Sequence, residues 1–375
     1  MEIKNIAQTL AERAQVAPDS LAISFTSGYD KEGQAIYSEC SFKELNDLCD
    51  RYAHALSDYG IQRGDRVLML VSPDVDLISM VFALAKMGAV PVVIDPGMPR
   101  KSYLRCVQDT VPTGFIGIPK AHLLLKLYPN TFKTITHPVV VGKMAMFGAP
   151  TIASLLKNEQ QPFNSVEIDS DEEVAVAFTS GSTGVPKGVV FHQGAFLAQL
   201  DLLLNEIGIQ PGEVDMPGLF SLSLFGPALG LAEVFPDMDI TAPATLDPAK
   251  LVQLIHRKQV NNSFGSPTIW RILAEYCEPR GIKMPSIKRI LMSGAPVQPY
   301  LLEAYTRIVE NGEVYTPYGA TEALPLTMMS GTEILAETAA LSEQGHGMCV
   351  GYPVSTATVR VIGISDDVIP AWSDD

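Results

Sequence analysis

An α/β fold built on mainly parallel sheet is what this sequence predicts, and three observations carry the prediction. The apolar stretch Arg66-Val-Leu-Met-Leu-Val71 is followed by a helical pattern over residues 75–87 and by Ala89-Val-Pro-Val-Val-Ile94. Strand, helix and strand in succession imply a right-handed crossover and parallel pairing. The same alternation returns over residues 239–292, with strands at 239–241, 262–264 and 287–292 and helices at 248–258 and 267–277. Finally, 47% of the 375 residues are hydrophobic, enough for a sizeable core and more than one subdomain.

Taken in order, the chain looks helical at its start and again over residues 41–59. Ser41 with Glu44 fits a capping box, Leu45, Leu48, Tyr52, Ala55 and Leu56 share one face, and Gly60 ends the helix. Residues 77–94 are long and apolar enough to raise the question of a transmembrane segment, but Lys86, Gly88 and Pro91 make them a buried helix and strand. Further patterns lie at 103–109, 113–118 and 138–141. Residues 155–172 are polar and acidic and include Gln160-Gln161-Pro162, which suggests a boundary. The expected organisation is a first α/β subdomain over 1–170, a second over 171–340 and a small β piece from 341 to 375. Two short buried strands are expected at 174–178 and 189–191, an amphipathic helix at 195–205 and a turn at Pro211-Gly212. The apolar, Gly- and Pro-rich residues 216–230 read as a buried turn entering a core helix, or as the lining of an apolar pocket. Residues 312–315 are a last strand, and Val359 and Val361 with Arg360 between them suggest small antiparallel structure.

Net charge is −15 and the isoelectric point is near 4.8. Without a Lys/Arg-rich run this excludes a long nucleic acid as partner and leaves a single nucleotide open. Five scattered cysteines, never spaced Cys-x-x-Cys, argue against a metal site or a disulfide framework and for a reducing compartment, hence the cytoplasm. The N-terminus lacks the apolar stretch of a secretory signal.

The chemistry concentrates in three connections. Residues 179–188 carry four hydroxyls, three glycines and Lys187, and nothing acidic. Glycines let successive N–H groups converge on an anion, and the hydroxyls and ammonium add donors, so a polyphosphate is the natural guest. A Walker loop needs Gly before the Lys and Ser or Thr after it, where this chain has Pro186 and Gly188. An ordinary hairpin turn is the competing reading, although such turns need only about two to five residues. Residues 293–296 (Ser-Gly-Ala-Pro) and 316–322 (Thr-Pro-Tyr-Gly-Ala-Thr-Glu) also follow strands. If the sheet is parallel, all three connections emerge at its carboxyl edge and can share one ligand. Thr321 beside Glu322 suits a phosphate oxygen and its Mg²⁺, or a helix N-cap followed by an acidic first turn. Tyr315 and Tyr318 can stack on a base or fill the core.

Together, Thr179-Ser-Gly-Ser-Thr-Gly-Val-Pro-Lys-Gly188 and Tyr318-Gly-Ala-Thr-Glu322 resemble the two signature motifs of adenylate-forming enzymes, the superfamily of acyl-CoA synthetases, peptide-synthetase adenylation domains and luciferases. Ser41-Phe-Lys-Glu-Leu45, Gly64-Asp-Arg-Val67 and Lys86-Met-Gly-Ala-Val-Pro-Val-Val-Ile-Asp-Pro96 are similar to its N-terminal landmarks. The resemblance implies the large N-terminal domain of that superfamily: two mainly parallel sheets flanked by helices, with a small β-barrel-like piece. It implies ATP and Mg²⁺ as cofactors and a small-molecule carboxylic acid as partner. Thr179, Ser180, Gly181, Ser182, Thr183, Gly184 and Lys187 would then hold the β- and γ-phosphates. Ser293, Gly294, Ala295, Tyr318 and Gly319 would contact the adenosine, Thr321 the α-phosphate, and Glu322 the metal. Lys187, Thr321 and Glu322 are the expected catalytic residues, because two anionic reactants must be neutralised as they approach.

Within the superfamily, residues 219–230, Tyr318-Gly-Ala-Thr-Glu-Ala-Leu-Pro325 and Cys349-Val-Gly-Tyr-Pro353 look most like the β-lactone synthetases of the olefin pathway. That likeness implies activation of a long-chain β-hydroxy acid followed by attack of its own hydroxyl, with Phe220, Leu222, Phe225 and Gly226 lining the acyl pocket. The region lacks the His frequent in the superfamily, and His192 more simply caps or flanks a helix. The ribose-binding Tyr-x-x-Gly-Asp segment has no match and the C-terminal lid domain is absent, so the sequence reads as truncated, with weak nucleotide binding and little adenylation. The alternatives are a fatty acyl-CoA or acyl-carrier-protein ligase, and a nucleotide-binding module without turnover.

Overall fold

The computed structural model describes residues 3–157, 161–179, 186–218, 223, 225–239, 242–363 and 368. Asn5 caps α1 (Ile6–Val16) by accepting the Ala7 N–H, and its amide donates to the carbonyls of Ala85 and Val166, tying the first helix to two distant segments. β1 (Leu21–Tyr29) and β2 (Ala35–Ser41) then form an antiparallel pair. The expected capping box forms: Ser41 accepts from Glu44 N–H and Glu44 from Ser41 N–H, starting α2 (Phe42–Tyr59), which Gly60 closes. β3 (Arg66–Leu70), α3 (Val75–Met87) and β4 (Val90–Ile94) make the predicted parallel crossover. α4 (Arg100–Thr110), β5 (Gly114–Gly117), α5 (His122–Leu127), β6 (His137–Val140) and α6 (Ile152–Leu155) follow.

After the polar stretch come β7 (Glu173–Thr179), β8 (Lys187–His192) and α7 (Gln193–Asn205). Then β9 (Val214–Asp215), α8 (Phe225–Leu229), β10 (Ala232–Phe235), α9 (Pro248–Lys258), β11 (Asn262–Gly265), α10 (Pro267–Cys277), β12 (Arg289–Met292), α11 (Pro299–Ile308) and β13 (Glu313–Tyr315) continue the alternation. β14 (Tyr318–Ala320), β15 (Ala323–Met328) and β16 (Tyr352–Pro353) complete the strands among the described residues.

These strands build a six-stranded sheet, β6-β5-β3-β4-β7-β8, a seven-stranded sheet, β13-β12-β11-β9-β10-β1-β2, and a small antiparallel sheet, β14-β15-β16. Helices cover the two large sheets, and pairing is parallel except for β7 with β8 and β1 with β2. The sheets are not contiguous in sequence, since β1 and β2 join the second and β7 and β8 the first. In the second sheet's core the Tyr305 hydroxyl donates to the Trp270 carbonyl, and the two rings meet edge to face at 5.7 Å. Between α2 and α3, the buried Lys86 ammonium donates to Asp50 at 2.5 Å and Asn46 at 2.8 Å.

Three expectations need correction. The hydroxyl-rich connection does not share a sheet with the other two, because β7 belongs to the first sheet and pairs antiparallel with β8. Thr321 and Glu322 do not open a helix; they form the turn between β14 and β15, where Ala320 faces Ala323. No strand forms over 356–363 among the described residues. Val361 is 92% exposed there, since alternation without a partner strand buries nothing. The strand expected at 239–241 includes Ile240 and Thr241, which lie outside the described residues.

Candidate active site

β12 and β13 are neighbours in parallel register, with Leu291 beside Tyr315, so residues 293–296 and 316–322 leave the same sheet edge side by side. Ser293 N–H donates to the Gly265 carbonyl, which anchors the first of them, while Gly294 and Ala295 are exposed. In the second, Thr316 N–H donates to Met329 and Tyr318 is 52% exposed, leaving its ring available to a flat ligand. A Cβ on Gly319 would come within 2.3 Å of the Ala323 carbonyl oxygen, so only glycine lets β14 and β15 approach this closely. Glu322 is exposed at the hairpin turn and Thr321 half-buried.

Thr179 and the exposed Lys187 face each other across the β7–β8 pair, and the loop they close is the hydroxyl-rich one. Ser180, Gly181, Ser182, Thr183 and Gly184 lie outside the described residues. α7, which follows β8, reaches the β14–β15 hairpin of the small sheet: Gln199 donates from Nε2 to the Leu324 carbonyl at 3.1 Å. His192 occupies the N-cap position of α7 without a side-chain capping bond.

Beneath that contact an open cleft, about 680 Å³ with the solvent at its mouth included, runs between α7, α8 and the second sheet. Phe225 and Gly226, two of the four residues expected around an acyl pocket, line it, whereas Phe220 and Leu222 lie outside the described residues. Pro317 and Leu324, which flank the Tyr318–Glu322 segment, form its other end. The cleft thus presents mainly apolar walls, and one end of it lies beside a turn that carries a carboxylate and a hydroxyl.

The AMP-binding enzyme family matches residues 10–373. The chain belongs to that family. It is 39% identical over 375 residues to an olefin beta-lactone synthetase of Xanthomonas campestris pv. campestris, a match covering 98% of this chain and 66% of that protein. A long-chain-fatty-acid–CoA ligase of Thermus thermophilus is 26% identical over 334 residues, covering 86% of this chain and 59% of the relative. Among solved structures, the inhibitor-bound N-terminal domain of FACL13 from Mycobacterium tuberculosis superposes with a TM-score of 0.73 at 21% identity, covering 89% of this chain and 81% of that one. The fold is therefore that of the N-terminal domain of adenylate-forming enzymes, and the chain spans about two thirds or less of its curated relatives' length.

Set in this AMP-binding enzyme's cleft are two acids that sequence reasoning missed. Asp215 and Glu233 stand opposite each other on the parallel strands β9 and β10, and both line the cleft. Glu233 is fully buried, and neither of its carboxylate oxygens has a hydrogen-bond partner. Burial lifts the Asp215 carboxyl to about 7, and burial, then the charge of Asp215, lifts Glu233 well above its usual range. The signal was present in the sequence: Glu233 is a lone acid inside Leu231-Ala-Glu-Val-Phe235. No helix among the described residues is long and apolar enough to cross a membrane, and all five cysteines are free thiols.

Proposed function

We propose that the complete protein activates a long-chain β-hydroxy acid with ATP, forming acyl-AMP and pyrophosphate, and then closes a β-lactone by attack of the β-hydroxyl on the acyl carbon with loss of AMP. The observation that carries this reading is the apolar cleft of Phe225 and Gly226 ending at Pro317 and Leu324, beside the turn of Thr321 and Glu322. The named activity of the relative at 39% identity supports the lactone step. We place the protein in the cytoplasm, in keeping with its free thiols.

The donor set fits Mg²⁺, which favours one or two carboxylates plus phosphate oxygens: Glu322 offers an exposed carboxylate at the turn. When bound, the ion neutralises phosphate charge as pyrophosphate departs. Lys187 contributes the cation of the hydroxyl-rich loop, Thr321 a hydroxyl toward the α-phosphate, and Ser293, Gly294, Ala295 and Tyr318 a surface for adenine. The apolar walls orient the acyl chain and exclude water, which would otherwise hydrolyse the adenylate.

Product analysis of the full-length protein tests this. A β-lactone formed from acid and ATP without any thiol supports it. The second reading, favoured by the fatty-acid–CoA ligase relative, predicts thioester only when a thiol is added.

A further inference from the structure

We propose that Asp215 and Glu233 together bind a hydroxyl carried by the acyl group in the cleft, making the enzyme selective for hydroxy acids. The inference rests on reading that cleft as the acyl site. A row of polar residues crosses the second sheet at one level, Glu233, Asp215, Asn262, Arg289 and Glu313, each beside the next on adjacent parallel strands. Most of the row is satisfied internally. Arg289 donates to Glu213, to Asn262 and to the carbonyls of Ile207 and Gly208, and Asn262 donates to Glu213. Its cation is thus committed away from the two acids at the row's end.

Those two acids are left facing a largely apolar cleft. A fully buried carboxyl without a partner is costly, and here both oxygens of Glu233 are in that state. Gln199 adds a third group, because its Oε1 is buried and unpartnered while its Nε2 is fixed on Leu324. Two adjacent carboxyls in a desolvated site retain at least one proton, so the pair offers a donor as well as several acceptors and carries at most a single negative charge. A hydroxyl, itself both donor and acceptor, matches that set. Gly226 supports the arrangement: a Cβ there would lie 1.5 Å from Glu233 Oε1, so the carboxyl occupies the space that a side chain would take. The row lies three residues before Thr316 in the β13 register, which at about 3.3 Å per residue places it about 10 Å inside the sheet edge. Side-chain reach shortens that span, so both a β-hydroxyl and one nearer mid-chain belong in the test.

Calorimetric titration of the chain, with a nonhydrolysable ATP analogue and Mg²⁺ present, compares three long-chain acids of equal length: unsubstituted, β-hydroxy and mid-chain hydroxy. One of the hydroxy acids binds about 10-fold tighter than the unsubstituted acid, the worth of one satisfied hydrogen bond. Glu233→Leu erases that preference by weakening the hydroxy acid alone, and the isosteric Glu233→Gln, which keeps the packing, reduces it. Equal affinity for all three acids in the wild type overturns the proposal, as does a preference that survives both substitutions. Tighter binding of a matched β-amino acid overturns it too, since the pair would then be an ammonium site. If no long-chain acid binds at all, the acyl reading of the cleft falls with it.

Discussion

Gly226→Ala is the most informative perturbation of the cleft. The added methyl would lie 1.5 Å from Glu233 Oε1, 2.3 Å from its Cδ and 2.5 Å from its Cγ, whereas carbon contacts settle near about 3.5–4.0 Å. Glu233 is fully buried, so it cannot retreat to solvent. Its carboxyl must swing into the cleft or the α8 turn must lift. Overpacking of this kind costs about 1–3 kcal/mol, a roughly 5- to 150-fold loss in the folding equilibrium, and it narrows the cleft. Urea denaturation reads the first effect and titration with a long-chain acid the second. The control is the double variant Gly226→Ala with Glu233→Ala, in which the clashing atoms are gone. The alanine at 226 should then cost under about 0.5 kcal/mol, leaving a coupling of at least about 0.5 kcal/mol. The same cost in both backgrounds would refute the contact and, with it, the placement of Glu233 in the cleft.

Other outcomes follow from the same contacts. Because Asp215 and Glu233 hold protons in the folded state that the unfolded chain releases near pH 4, stability falls as pH rises from about 4 towards 7. Glu233→Gln removes part of that loss, so urea midpoints of variant relative to wild type rise with pH, and parallel curves would contradict the burial argument. Lys86→Met leaves Asp50 buried and uncompensated, at a cost of about 3–5 kcal/mol, while Lys86→Met with Asp50→Leu recovers most of it. Thermal melts of the three proteins decide this, and a double variant as unstable as the single would count against the pair's isolation. In the full-length protein, Lys187→Ala and Glu322→Gln each lower pyrophosphate exchange by about 10²–10³-fold. Exchange at the wild-type rate in either would remove that residue from the nucleotide site.

The crossover of residues 66–94 and the helices at 248–258 and 267–277 were legible because each apolar period is long and bounded by a cap or a proline. β1 and β2 were not, since after Leu21-Ala22-Ile23 the pair turns polar and its register breaks at irregularities. β9 and β10 have two and four residues, too few for a period, so a lone acid within an apolar run was the one signal there and its partner Asp215 gave none. The chemistry of the Tyr318–Glu322 segment was visible as residue types, but its geometry was not. The competing reading was a helix N-cap, and only the approach of Gly319 to Ala323 makes the segment a hairpin. The cleft's apolar wall could be anticipated from Phe225 and Gly226, whereas its acidic wall depends on two strands that meet only in the folded sheet.

The most direct measurement is a crystal structure of this chain with a nonhydrolysable long-chain acyl-adenylate analogue. Adenine is expected against residues 293–296 and Tyr318, and the alkyl chain past Pro317 and Leu324 between Phe225 and the second sheet. An alkyl chain lodged elsewhere, with the cleft still empty, would contradict it.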